Sequence, residues 1–81
     1  MNLYLISQDE NNDYDTYDSA VVCAQNEQEA RMIQPNGTGK EFNTGDFGTW
    51  AKYPDQVKVT LIGVADSSIA EGLVLASFNA G

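Results

Sequence analysis

The clearest helix signal in this chain is short, and it lies between Asn26 and Pro35. Asn26 is a favoured N-cap residue, and Glu29 occupies the capping-box position three residues later. Pro35 then ends the segment after about two turns. Parallel neighbouring strands would need a crossover helix between them, and no helix is predicted between the first two apolar runs. The segment therefore favours an antiparallel sheet with one small helix packed on it.

Four apolar runs predict the strands of that sheet. They cover residues 3–7, 17–24, 57–65 and 73–78. In the first run, alternation places Tyr4 and Ile6 on one face and Leu3 and Leu5 on the other. Residues 66–72 predict a capped helical turn that ends at a glycine. The predicted fold class is α+β in the order ββα-loop-ββ, with about four antiparallel strands, and residues 1–81 form a single domain.

The segment 35–56 predicts a long, irregular loop, because glycines and turn residues interrupt every regular pattern in it. It nevertheless holds four aromatic residues, Phe42, Phe47, Trp50 and Tyr53. Some of these must close over the core or form a contact surface, since a bare loop would expose too much apolar area. Trp50 is interpreted either as a lid on the core or as an exposed ring for a ligand or partner. Tyr53 is a further candidate for such a contact.

The charge of the chain is strongly divided. Of its 12 acidic residues, seven fall in the first 29 positions, which contain no Lys, Arg or His and so carry a formal charge of −7. The rest of the chain carries −1, giving −8 in total. The four bases are scattered, so no basic patch is available to neutralise nucleic-acid phosphates, and anionic membranes would repel the protein. Direct binding to nucleic acid or to a membrane surface is therefore not expected.

The acidic run 9–18 predicts either an ordinary solvated connection or a surface that binds a partner protein. In the second interpretation, charges steer the encounter and tyrosines anchor the contact. The candidate partner-binding residues are Asp9, Glu10, Asp13, Tyr14, Asp15, Tyr17 and Asp18. The alternating oxygens also suggest a calcium loop, but Tyr14 and Ala20 stand where an EF-hand requires Gly and Glu. An EF-hand is excluded, and no metal or cofactor is expected.

Catalysis has little support in the sequence. The chain has no histidine, and its single cysteine, Cys23, lies in an apolar run typical of a buried residue. A Ser-His or Cys-His nucleophile therefore cannot be built, and an enzyme is not expected. The segment around Lys40 fails as a phosphate loop, because Glu41 follows the lysine and Gln34 replaces the first glycine. With one cysteine and no signal peptide or apolar span, we expect a soluble, cytoplasmic protein.

Several stretches resemble small proteins encoded by bacteriophages and prophages. They are LYLIS (3–7), YDTYDSAVV (14–22), EAR (29–31), LIGVA (61–65) and LVLASFNAG (73–81). The resemblance covers about half of the chain and implies a phage origin, without assigning a role to any residue. Small acidic phage proteins are commonly inhibitors of host defence, and some of them mimic DNA.

Charge and resemblance together give the leading hypothesis. It is a non-catalytic inhibitor whose acidic, DNA-mimicking surface binds a basic nucleic-acid-binding surface on a host protein, such as a CRISPR effector or a nuclease. One alternative is a small-ligand module in which the glycine-rich loop and Trp50 close over a nucleotide-like metabolite. Another alternative is an accessory protein of phage structure or assembly.

Overall fold

The computed structural model describes residues 1–9, 16–36, 50–51 and 53–79. Its elements are β1 (Asn2–Ser7), β2 (Thr16–Ala24), α1 (Glu27–Met32), a 3-10 turn (Pro54–Gln56), β3 (Lys58–Val64) and β4 (Gly72–Asn79). The described part of the chain is thus an α+β fold with a four-stranded antiparallel sheet and one short helix, as predicted. Most of the predicted loop 35–56 lies outside the described residues.

The strands lie in the order β3-β1-β2-β4, and every neighbouring pair is antiparallel. β1 and β2 are the central strands, whereas β3 and β4 occupy opposite edges. The connection 65–71 must therefore pass the ends of both central strands. Two contacts hold it there: the Ala65 N–H donates to the Met1 carbonyl at 3.0 Å, and the Cys23 thiol lies 3.9 Å from the Ile69 carbonyl.

The hydrophobic core lies between the sheet and α1. Tyr4 and Ile6 are buried on the face toward the helix, whereas Leu5 on the other face is 37 % exposed, which confirms the alternation predicted for β1. The remaining core residues are Ala20, Val22, Ala24, Ala30, Ile33, Trp50, Ala51 and Val57. Few of the described core residues have large side chains, so the loss of any one of these removes a sizeable share of the hydrophobic stabilisation that they provide.

α1 begins as the sequence predicts. The Asn26 side chain accepts a hydrogen bond from the Glu29 N–H at 2.8 Å, so one of the free N–H groups of the first turn is satisfied. The helix ends at Met32, ahead of Pro35, and buries Ala30 against the sheet. Six residues are too few for a helix that is stable alone, so packing on the sheet stabilises it.

The helical turn predicted for residues 66–72 is wrong. Ser67 and Ser68 form a tight turn instead, in which the Ile69 N–H donates to the Asp66 carbonyl at 3.0 Å. Asp66 does act as a cap, because its side chain accepts from the Ser68 N–H at 2.9 Å. The turn does not continue into a helix, because residues 66–72 must carry the chain from β3 to the opposite edge of the sheet. Gly72, with φ at 130°, then starts β4 in a conformation that favours glycine.

Candidate partner-binding surface

The two ends of the acidic connection between β1 and β2 are held together at one end of the sheet. The Gln8 N–H donates to the Asp18 carbonyl at 3.2 Å, and the Gln8 side-chain amide donates to the Tyr17 carbonyl at 2.9 Å. Gln8 is itself buried, which fixes its side chain. Asp9 and Asp18 come directly beside these contacts, and both are exposed. The fold therefore presents two of the predicted carboxylates to solvent from a rigid base.

Asp18 also lies at an irregularity of the sheet. The register between β2 and β4 shifts between Tyr17 and Ser19, so Asp18 is the extra residue of a β-bulge. Bulges change the direction of side chains and are frequent beside functional sites. The Ser19 hydroxyl donates to the Asp18 carboxylate at 3.3 Å, and this contact orients it.

The two described bases both contact carboxylates. Lys58 Nζ lies 3.8 Å from Asp9 Oδ2, with 73 % of each side chain exposed, so water and salt screen this pair strongly. Arg31 Nη2 lies 3.0 Å from Glu27 Oε1 on the surface of α1. Seven acids and two bases belong to the described residues, so the described surface is distinctly negative.

The predicted tyrosine and tryptophan contacts occupy different environments. Tyr17 is partly buried, packs against the core, and has its ring centroid 4.7 Å from that of Phe78. Trp50 is 3 % exposed within the core, so it corresponds to the lid alternative and offers no free ring face for stacking. Tyr53 is 54 % exposed at the start of the 3-10 turn and remains available for a contact. The other predicted residues, Glu10, Asp13, Tyr14 and Asp15, lie outside the described residues.

An apolar surface lies along β4 and was not predicted from the sequence. Its four large side chains, Leu73, Val74, Leu75 and Phe78, are all exposed, by 38 to 69 %. The available signal was the absence of any charged residue between positions 72 and 79. Because that run was interpreted only as a strand, its position at the edge of the sheet could not be anticipated.

A shallow groove of about 270 Å³ lies on the sheet surface beside β4, with Leu5, Val21 and Leu75 among its lining residues. Among the described residues, no titratable side chain lines it, since the other lining residues are serines and alanines. Catalytic pockets combine an enclosed apolar space with a few convergent polar groups. The groove lacks such groups and suits an apolar contact better than a polar ligand.

The described residues contain no group of three or more His, Cys, Asp or Glu placed to hold a metal ion. Within the same ranges, no helix has the length and apolar character needed to span a membrane. In comparisons with family models, curated proteins and solved structures, none matched the chain significantly.

Proposed function

We propose that this chain is a small acidic, non-catalytic binding protein whose acidic connection docks on a basic nucleic-acid-binding surface of another protein. The observation that carries the proposal is the exposure of Asp9 and Asp18 at the same end of the β1–β2 pair. The sequence between them holds Glu10, Asp13 and Asp15, so five carboxylates fall within residues 9–18, on the connection and the first residues of β2. Proteins that bind nucleic acid do so largely by neutralising regularly spaced phosphates, which such a cluster of carboxylates can imitate.

The base of the connection favours binding for an energetic reason. The buried Gln8 side chain and the Gln8–Asp18 backbone hydrogen bond fix both ends of the connection before any partner arrives. Ordering a loop upon binding costs conformational entropy, and a fixed base lowers that cost. The net charge of −8 adds long-range attraction toward a cationic groove, which raises the association rate at low salt.

The resemblance to phage and prophage proteins supports a biological setting for this activity. We propose an inhibitor of a host defence protein, such as a CRISPR effector or a nuclease, that acts in the host cytoplasm and mimics DNA. The predicted order ββα-loop-ββ for the whole chain is also part of this proposal, with the 3-10 turn Pro54–Gln56 at the end of the loop. A ligand module closing over Trp50 is the weaker candidate, because Trp50 is enclosed in the core.

The test compares two triple variants with equal charge. Asp13→Asn, Asp15→Asn and Asp18→Asn neutralise the acidic connection, whereas Glu41→Gln, Asp55→Asn and Glu71→Gln remove the same three charges elsewhere. The immobilised chain is used to capture proteins from a host lysate at low and high salt, and captured nucleic-acid-binding proteins are then challenged with a DNA duplex.

We expect DNA to displace the chain from its partner, and we expect high salt to weaken the complex. The connection variant should lose roughly tenfold or more in affinity, equivalent to about 1.4 kcal/mol, and the control variant should lose much less. Circular dichroism would establish that both variants are folded. Equal binding by the wild type and the connection variant would rule out the charge-mimicry mechanism.

A further inference from the structure

β4 combines three properties that are rarely left together on a protein surface. It lies at an edge of the sheet, it contains no charged residue, and it exposes all four of its large apolar side chains. Leu75 is the most exposed of them at 69 %, and Phe78 is 45 % exposed. Such a strand presents main-chain hydrogen-bonding groups and apolar side chains to any further strand that pairs with it.

The apolar residues of β4 occupy both faces of the sheet. Leu73 is in register with Val22, a core residue on the helix side, whereas Leu75 is in register with Val21 on the opposite side. α1 packs against β1, β2 and β3. β4 is not among the strands that α1 contacts most, and it exposes apolar side chains above and below the sheet.

The other edge strand, β3, also exposes large apolar side chains, Leu61, Ile62 and Val64, but unlike β4 it carries a charged residue. β3 begins with Lys58, whose ammonium group lies near Asp9, and its register with β1 is broken between Leu3 and Tyr4. A lysine and a bulge on an edge strand both hinder pairing with another chain.

The pairing of β4 with β2 shifts twice: Val74 is an extra residue on β4, whereas the shift opposite Phe78 and Ser77 puts the extra residue, Asp18, on β2. The stretch from Leu75 to Asn79 therefore contains no extra residue of its own that would interrupt a new ladder.

We propose that β4 pairs antiparallel with β4 of a second copy of this chain, joining the two sheets into one of eight strands. Pairing of identical edges about a two-fold axis closes after two copies, whereas pairing of β3 with β4 would leave edges free for further copies. Because β4 carries no charge, two copies of a chain with charge −8 can pair there without opposing carboxylates in the ladder. This proposal is independent of the function proposed for the acidic connection.

The exposed area is of the size that such a contact needs. With ~150–200 Å² for a fully exposed large apolar side chain, the four side chains expose on the order of 350 Å² per copy. The main chain and the smaller residues of β4 enlarge the contact. Two copies contribute about 700 Å² of large apolar side chain before the main chain is counted, and a specific interface needs about 1,000 Å² or more in total.

The test measures the mass of the full-length protein by sedimentation equilibrium over a broad concentration range. Leu75→Lys puts a charge on the proposed interface, and Val64→Lys puts the same charge on β3, where the side chain is 81 % exposed. We expect a dimer for the wild type and for Val64→Lys. We expect Leu75→Lys to raise the dissociation constant about tenfold or more. If Leu75→Lys does not fold, Ser77→Lys changes the same edge at an exposed polar position.

Hydrogen exchange supplies a second readout. Amide protons of β4 should gain protection as the protein concentration rises, whereas those of β3 should not. A wild type that is monomeric at every concentration would overturn the proposal. So would a dimer that Leu5→Lys disrupts and Leu75→Lys leaves intact, because that outcome indicates face-to-face packing of the sheets. Equal loss of the dimer in Val64→Lys and Leu75→Lys would likewise exclude an interface specific to β4.

Discussion

The thiol of Cys23 lies 3.9 Å from the carbonyl oxygen of Ile69, although the two residues are 46 positions apart in sequence. The contact joins the end of β2 to the connection that carries the chain from β3 to β4. Cys23 is fully buried there, on the face of the sheet opposite Val22 and the helix. A thiol reagent can reach it only when this part of the protein opens.

We therefore expect Cys23 to be modified by a thiol reagent at least on the order of a hundredfold more slowly in the native protein than in denaturant. The measurement is the modification rate followed by mass spectrometry. Thr60→Cys, which adds a thiol at an exposed position of β3, provides an internal reference. If Cys23 reacted as fast as this added thiol, the connection 65–71 would not cover it.

The N-cap of α1 leads to a second prediction. Asn26→Ala removes the acceptor of the Glu29 N–H, so we expect it to lower the free energy of unfolding by about 1 kcal/mol. Asn26→Asp retains an acceptor and should change stability little. Urea denaturation measures both effects. Gln25→Ala, at the exposed preceding residue, is the control and should stay within about 0.5 kcal/mol of the wild type. If Gln25→Ala lowered the free energy of unfolding as much as Asn26→Ala does, the loss would come from any substitution in this segment and not from the N-cap hydrogen bond.

Local patterns predicted the central part of the fold. The alternation in β1 identified Tyr4 and Ile6 as buried, because successive side chains of a strand point to opposite faces. The helix start at Asn26 followed equally from neighbouring residues, since capping is a local interaction. Cys23 was also correctly predicted to be buried, because of its apolar neighbours.

Features that depend on strand order could not be predicted. Leu75 lies in an apolar run that suits an interior strand as well as an edge strand, and only pairing with distant residues decides between them. Trp50 lies in a segment without a strand or helix period, between Gly48 and Lys52, so its burial depends on tertiary packing that no local pattern encodes. Of the proposed acidic site, the structure describes Asp9, Tyr17 and Asp18, and the contribution of the intervening carboxylates stays a prediction.

Arg31 connects α1 to the start of β3, which gives a third prediction. Its Nη1 donates to the Val57 carbonyl at 3.1 Å, and its Nη2 donates to Glu27 at 3.0 Å. Arg31→Lys keeps the charge but cannot make both hydrogen bonds with the same geometry, so we expect a loss of about 1 kcal/mol in unfolding free energy. Glu27→Gln removes only the exposed ion pair and should cost about 0.5 kcal/mol or less.

Urea denaturation at low and high salt would separate the two contributions of Arg31. The loss of unfolding free energy caused by Glu27→Gln should be smaller at high salt, because ions screen an exposed ion pair. The effect of Arg31→Lys should persist, because the Val57 carbonyl is a neutral acceptor. Equal costs for the two variants would indicate that the ion pair, and not the contact with Val57, stabilises the helix.

Asp66 leads to the final prediction, on pH dependence. The backbone N–H of Ser68, and then its hydroxyl, donate to the carboxylate and hold the pKa of Asp66 below its usual value. Because the folded pKa is the lower one, the contribution of Asp66 to stability is present above the unfolded pKa of about 4 and is lost as the pH falls through the folded pKa. The pKa is measured by an NMR titration of the carboxyl carbon, and stability by urea denaturation across the acid range.

Two serine variants test the cause of this shift. Ser68→Ala removes the hydroxyl donor and should raise the pKa of Asp66 part of the way toward its usual value, because the stronger backbone donor remains. Ser67→Ala, at the exposed neighbouring position, should leave it unchanged. Asp66→Asn should remove this contribution to the acid dependence, because the amide accepts the hydrogen bond without titrating. An Asp66 pKa at its usual value in the wild type would mean that the turn does not form in solution.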